Sequence, residues 1–293
     1  MNVNFNRIYD KVVILGSGMS ILELTENEID YINKCKKVVA LNKFAAFYKK
    51  SGIIPTHIYF HDFFGLEMFK YVLQVLDKDN LKGISIYTNP FFHNLILTKK
   101  SHLLIRLFKD IFVFRLKSLL ILTMTLFKKN KFLEKTILFR NFNFINISGI
   151  KKIKSFVVKE NPNNMIWAKS FNQEIFHFRG SLSSVLNIIS IENSGCDIIL
   201  IGNDFYGTEY FYEKELNELG DFWKDFTHDL VKKNGLHYSF QKVNNLTISD
   251  GFLFINKNLN ESFNKIFCNN KESLLVKENC VKYISIIDFI CNG

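Results

Sequence analysis

The sequence predicts an α/β protein built on a largely parallel sheet. Three observations carry this. Short, continuously apolar runs recur at 11–15 (KVVIL), 37–41 (KVVAL), 56–60 (THIYF), 83–88 (GISIYT) and 197–202 (DIILIG). Helical patterns separate most of them, and strands that are apolar throughout belong to sheets covered on both faces. Each run is also followed by glycine or polar residues, at the place where ligands of such sheets collect, outside the carboxyl ends of the strands.

The first run closes on Gly16-Ser17-Gly18-Met19-Ser20, and Ile21-Leu22-Glu23-Leu24 then opens a helical pattern. A tight glycine loop ahead of a helix aims backbone N–H groups at one point, which suits a phosphate or nucleotide, although a plain strand-to-helix turn looks the same in sequence. It is not the dinucleotide fingerprint: Ile21 stands at the third glycine position of G-x-G-x-x-G, and no P-loop lysine follows. The second run ends on Asn42, the third on His61-Asp62, the fourth on Asn89 and the fifth on Asn203-Asp204-Phe205-Tyr206. Singly these are ordinary turn formers; as a set they mark one edge of a sheet. Further strands are expected at Asn264 to Cys268 and Tyr283 to Phe289. Asp77-Lys78-Asp79 has the D-x-D form that holds a divalent ion in metal-dependent glycosyltransferases, but it precedes a strand, so it is read as a solvated turn.

The 293 residues are 47% hydrophobic and 15% aromatic, which excludes disorder over most of the length, and 3 Pro with 14 Gly leave little room for linkers, so one domain over 1–293 is expected. The five cysteines, Cys35, Cys196, Cys268, Cys280 and Cys291, show no CxxC or Cys/His metal spacing and read as thiols of a reducing compartment. The first residues are too polar for a secretory signal, and the apolar stretch Leu119 to Phe127 is far short of the roughly 20 residues that span a bilayer; a cytoplasmic location is expected. The net charge of +10 is regional. Between 98 and 159 fifteen Lys and Arg face only Asp110 and Glu134, a surplus of +13 that leaves the rest at about −3. Within it, 98–140 reads as a basic amphipathic helical insertion, with Arg106, Asp110, Lys117 and Lys128 on one face. Three readings are open for it: a core helix with a solvated face, peripheral attachment to an anionic membrane, or nucleic-acid binding. The interleaving of basic residues with aliphatics and the lack of a recognition motif weigh against nucleic acid.

The segment Phe178 to Tyr206, FRGSLSSVLNIISIENSGCDIILIGNDFY, resembles the arginine-helix-strand-GIDFY segment of the Campylobacter-type bacterial sialyltransferases, glycosyltransferase family 42, and the spacing from Arg179 to Tyr206 matches without a gap. KVVILGSGMSILEL resembles the family's KVIIAGNGPSL start, and VVALNKF its CNQF strand end. Weaker likenesses are THIYFHDFF, GISIYTNP, the pair His237-Tyr238 and KIFCNNKESLL. Together they cover most of the chain in order, except roughly 95–145.

The resemblance implies a single Rossmann-like sheet, a variant of the glycosyltransferase A architecture, with a lid over 206–245. It implies an inverting, metal-independent transferase that needs no cofactor, takes CMP-sialic acid or a related CMP-nonulosonate as donor, and uses a galactose-type acceptor of a bacterial surface glycan, lipooligosaccharide or capsule, as a homo-oligomer. Departure of CMP leaves charge on a phosphate oxygen, which phenol donors can stabilise. The resemblance gives this role to Tyr206 and to Tyr212, with Tyr210 a near neighbour. The acceptor hydroxyl needs a base, for which histidine is suited near neutral pH: His237 is closest in count and His228 is the alternative, while strict alignment of the HY pairs puts Gln241, which cannot act as a base, at that position. Arg179 would organise the site. Gly16, Ser17, Gly18, Ser20, Asn42, His61, Ser181, Ser183, Gly202 and Asp204 would contact the nucleotide sugar. Ser17 replaces a family Asn, His61 or Asp62 replaces a second, and Ser181-Leu182 replace a Thr-Ser pair. These departures support a second reading, a non-catalytic basic α/β protein that binds a membrane surface or an acidic partner and keeps a vestigial nucleotide site.

Overall fold

A computed structural model describes residues 7–61, 66–89, 150–160, 165–207, 209–219, 236–242 and 245–291. The strands are β1 Tyr9–Leu15, β2 Cys35–Leu41, β3 His57–Phe60, β4 Ile84–Thr88, β5 Ile150–Ser155, β6 Val158–Glu160, β7 Ile175–His177, β8 Ile198–Ile201, β9 Ile266–Cys268 and β10 Lys282–Tyr283. β6 and β7 pair with each other, and the others form one sheet of eight described strands in the order β10-β9-β8-β1-β2-β3-β4-β5. Every pairing in that sheet is parallel. The protein is thus an α/β fold on a single Rossmann-like parallel sheet.

The central strands are buried over most of their length, with Val12 to Leu15 and Ile198 to Ile201 at most 1% exposed. The principal helices are α1 Glu26–Asn33, α2 Tyr48–Ser51, α3 Leu66–Lys78, α4 Ser181–Glu192, α5 Glu213–Glu218, α6 Ile248–Glu261, α7 Leu274–Lys277 and α8 Ile286–Cys291. Thr25 and Glu28 form a capping box that starts α1. Helix α4 is buried continuously from Leu182 to Ser190. It packs on β7 and α6 within a core that also holds Trp167, Phe176, Phe178 and Phe252.

The topology positions the site. The chain runs outward from β1 through β5 on one side and returns to build β8, β9 and β10 on the other. The order therefore reverses between β1 and β8, and ligands of open parallel sheets bind at such a switch point, outside the carboxyl ends. The register, Val12 opposite Ile198 through Leu15 opposite Ile201, sets Gly16 level with Gly202.

One expectation differs from the fold. The run Tyr283 to Phe289 is strand only at Lys282–Tyr283, because Ser285 and Asp288 bond reciprocally (Oγ to Oδ2 2.6 Å, Asp288 N–H to Ser285 Oγ 3.1 Å) and start α8. Ile150–Ser155, inside the basic segment, is an edge strand; its lysines suit an edge exposed to water. The chain divides into two units, Met1–Pro90 with Ser148–Gly293, and Phe91–Ile147. The second unit, with the expected insertion at 98–140, lies outside the described residues, as do Asp62, His228 and the middle of the expected lid. Among the described residues no helix is long and apolar enough to cross a membrane.

Candidate active site

The loops after β1 and β8 meet at the switch point and are fastened to each other. Gly16 N–H donates to the Ile201 carbonyl (2.8 Å) and Gly18 N–H to the Gly202 carbonyl (2.7 Å). The Asp204 carboxylate, 2% exposed, is the hub. Its Oδ1 accepts from Ser20 Oγ (2.5 Å) and Asn270 Nδ2 (2.7 Å), and its Oδ2 accepts from Ser20 N–H (3.0 Å). Ser273 Oγ donates to the Asn203 carbonyl (2.6 Å), so the segment after β9 joins the same knot. The glycines are required for this approach: a Cβ on Gly18 would lie 2.2 Å from Asp204 Oδ2, and Gly202 adopts φ +66 with Ile21 against it. Gly18→Ala is expected to destabilise the protein by about 1–3 kcal/mol through overpacking against a fixed carboxylate, read as a lower melting temperature in a thermal scan.

Ser20, Asp204 and Ser183 were expected at the ligand, and the structure places all three in internal bonds. Ser183 is fully buried, donates to the Gly180 carbonyl and accepts from Phe178 N–H, both at 2.8 Å. In the glycine loop the N–H groups of Gly16, Gly18 and Ser20 are all turned to the β8 segment.

Tyr206 follows directly. It is 42% exposed, and its hydroxyl accepts from Asn270 Nδ2 (3.2 Å), leaving the phenolic proton to be donated outward. An isolated antiparallel bridge pairs Tyr206 with Leu236, and His237 N–H donates to the Phe205 carbonyl (3.1 Å). Backbone pairing across the expected lid therefore joins the Tyr206 and His237 segments, and the His237 ring lies against that of Phe205 (centroids 5.3 Å). Nδ1 of His237 accepts from Ser239 N–H (3.2 Å), so the neutral ring carries its proton on Nε2. To remove an acceptor proton, His237 must release this contact. Arg179, 5% exposed and in left-handed backbone (φ 56), donates Nη2–H to the Gln241 carbonyl (2.6 Å), tying the start of α4 to the His237 segment.

At the next strand ends Asn42 donates from Nδ2 to Ser181 Oγ (2.9 Å), and its Oδ1 accepts from His61 N–H (3.3 Å). One side chain thus joins the ends of β2, β3 and the first turn of α4, with Asn42, His61 and Ser181 all half-buried. Tyr212 lies under the glycine loop. It is 2% exposed, stacks on Phe47 (centroids 4.5 Å) and donates to Ser17 Oγ (2.9 Å), so in this conformation it braces the glycine loop.

Sequence reasoning passed over Asn270, which bonds both Asp204 and Tyr206, and His177, whose ring lies 6.1 Å from that of His61. The signal for the first was the turn-forming Asn269-Asn270 after a strand; for the second, a polar residue at the end of an aromatic run. Asp79 of the D-x-D segment accepts from Tyr48 (2.8 Å) and pairs with Lys49. Among the described residues no group of three or more His, Cys, Asp or Glu is placed to hold a metal ion.

No family model and no curated protein matches the chain. Two solved structures are similar to it: a Tyr-to-Phe variant of the sialyltransferase Cst-II in complex with CMP, at 17% identity and TM-score 0.42 over 94% of this chain and 86% of that one, and the monofunctional α-2,3-sialyltransferase Cst-I from Campylobacter jejuni, at 14% identity and TM-score 0.43 over 100% of this chain and 86% of that one.

Proposed function

We propose that the protein is an inverting glycosyltransferase that moves sialic acid, or a related nonulosonic acid, from a CMP-activated donor to a galactose-type hydroxyl of a bacterial surface glycan. The observation that carries the reading is the exposed phenol of Tyr206 at the switch point, its oxygen held by Asn270 and its proton free to donate, with the segment that carries His237 paired to the same stretch by backbone. In this reading the Ser17 amide and the half-buried Asn42 and Ser181 receive the nucleotide sugar, Tyr206 stabilises the charge that grows on the departing phosphate, and His237, once released from Ser239, accepts the proton of the attacking hydroxyl. Arg179 acts as a positioning residue through Gln241. The sequence likeness of Phe178 to Tyr206 to glycosyltransferase family 42 supports the choice of CMP. By composition, the segment 98–159 with its surplus of +13 is the part of the chain suited to an anionic glycolipid surface.

The test is turnover. Purified protein, CMP-N-acetylneuraminic acid and a β-galactoside in excess EDTA are expected to give free CMP and a sialylated galactoside, followed by mass spectrometry. Absence of transfer across a panel of CMP-nonulosonates and galactosides, with a cooperative thermal melt showing folded protein, would overturn the reading.

A further inference from the structure

Beside Asn42 and Ser181, the carboxyl edge holds two histidines from different parts of the chain. His61 ends the β3 segment and His177 ends β7. Their ring centroids are 6.1 Å apart with the planes tilted by 35°. Both are half-buried, so each keeps some surface toward solvent. His61 backs onto an aromatic wall, with the Phe156 ring at 5.9 Å and the Tyr59 ring at 6.3 Å. The backbone N–H of His61 is held by Asn42, which in turn holds Ser181. His177 is fixed through Nδ1, 2.8 Å from Ser184 Oγ in the first turns of α4. The pair is therefore positioned by the same elements that bring Asn42 and Ser181 together.

Its charge state sets what it can recognise. Burial lowers the His61 imidazole to about 4, with His177 beside it adding to the effect, and burial lowers His177 to about 4. At neutral pH both rings are uncharged. A neutral imidazole offers one N–H and one lone pair, which suit hydroxyl or amide groups and offer no cation to a carboxylate.

We infer that His177, acting with His61, is a specificity-determining residue of this site and reads an uncharged acylamino substituent of the transferred sugar rather than its carboxylate. The inference rests on the transferase reading and sharpens it. The half-buried Ser17 and Ser181 lie at the loop and helix starts where anionic parts of a donor are received. The two histidines form the uncharged side of the same edge. A site built to hydrogen-bond a substituent penalises the analogue that lacks it because its own buried polar groups are then left unpaired.

The experiment compares two donors that differ at one substituent, CMP-N-acetylneuraminic acid and CMP-deaminoneuraminic acid, which has a hydroxyl in place of the acylamino group. Wild-type protein is expected to favour the acylamino donor by tenfold or more in kcat/KM. His177→Leu and, independently, His61→Asn are each expected to cut that preference by about tenfold. The thermal shift given by CMP alone, which lacks the sugar, should persist in both variants and shows that they are folded. His61→Asn lies at a half-buried strand end and serves if His177→Leu does not fold. A wild-type preference below twofold, or a preference unchanged in both folded variants, would overturn the inference while the transferase reading stands. Wild-type protein that neither shifts with CMP nor transfers from either donor would overturn both.

Discussion

Replacing Tyr206 by phenylalanine is expected to lower kcat for transfer from a CMP-sugar by about 10²–10³-fold, the loss typical of removing one preorganised donor from a developing oxyanion. The donor KM and the melting temperature are expected to stay near those of the wild type. The structural basis is specific. The phenol is 42% exposed, so its hydroxyl is not part of the core, and its only contact through oxygen among the described residues is the bond it accepts from Asn270. Phenylalanine keeps the ring and the bridge to Leu236, which is made by backbone. Asn270 retains its stronger partner, Asp204 Oδ1 at 2.7 Å. On the proposed reading, what disappears is one proton directed to the place where charge appears as the phosphate leaves. An interaction made only in the transition state shows itself as equal losses in kcat and kcat/KM. Steady-state kinetics of CMP release therefore separates the outcomes: a loss confined to KM would make Tyr206 a ground-state contact, and no loss would remove it from the chemistry.

The strand ends that line the candidate site were legible in the sequence because they depend on local signals. Apolar runs followed by Gly16, Asn42, His61 and Gly202 specify strands and their ends, and parallel strands place all those ends along one edge. The roles within that edge were less legible. Ser20, Ser183 and Asp204 stand at ligand-facing positions in one dimension, yet folding closes the loops after β1 and β8 on each other, and the nearest donors to the Asp204 carboxylate become Ser20 and Asn270. Tyr212 is drawn under the glycine loop by stacking on Phe47, a contact across 165 positions that no local pattern encodes. The strand Ile150–Ser155 was hidden for another reason: as an edge strand it carries three lysines among its six residues and lacks the continuous apolar signature of its neighbours.

The same limit hides the ion cluster on which the largest stability effect is expected. Glu192, at the end of α4, accepts from Lys37 Nζ (2.5 Å), from Lys154 Nζ and from the Tyr87 hydroxyl, with side-chain exposures of 16% for Glu192, 8% for Lys37 and 24% for Lys154. Burial by itself would raise this carboxyl; Lys37 and Lys154 overcome that and hold it at about 2, against an ordinary 4.5. Glu192→Gln removes the charge and leaves Lys37 buried beside a second ammonium. Breaking a buried pair from one side costs about 3–5 kcal/mol, a fall in Tm on the order of 10 °C for a chain of this size. The Lys37 ammonium is already lowered by burial, so the variant has no inexpensive way to keep it charged. Because the folded carboxyl lies below its unfolded value, the stabilisation is complete above about 4.5 and is lost as pH falls toward about 2. Urea melts of the wild type and Glu192→Gln should therefore differ most at neutral pH and converge in acid. Lys37→Met combined with Glu192→Leu should recover most of the loss, since replacing both ions with apolar groups removes the desolvation cost along with the attraction. A difference that stays constant down to pH 3 would mean that shape rather than charge at Glu192 stabilises the fold.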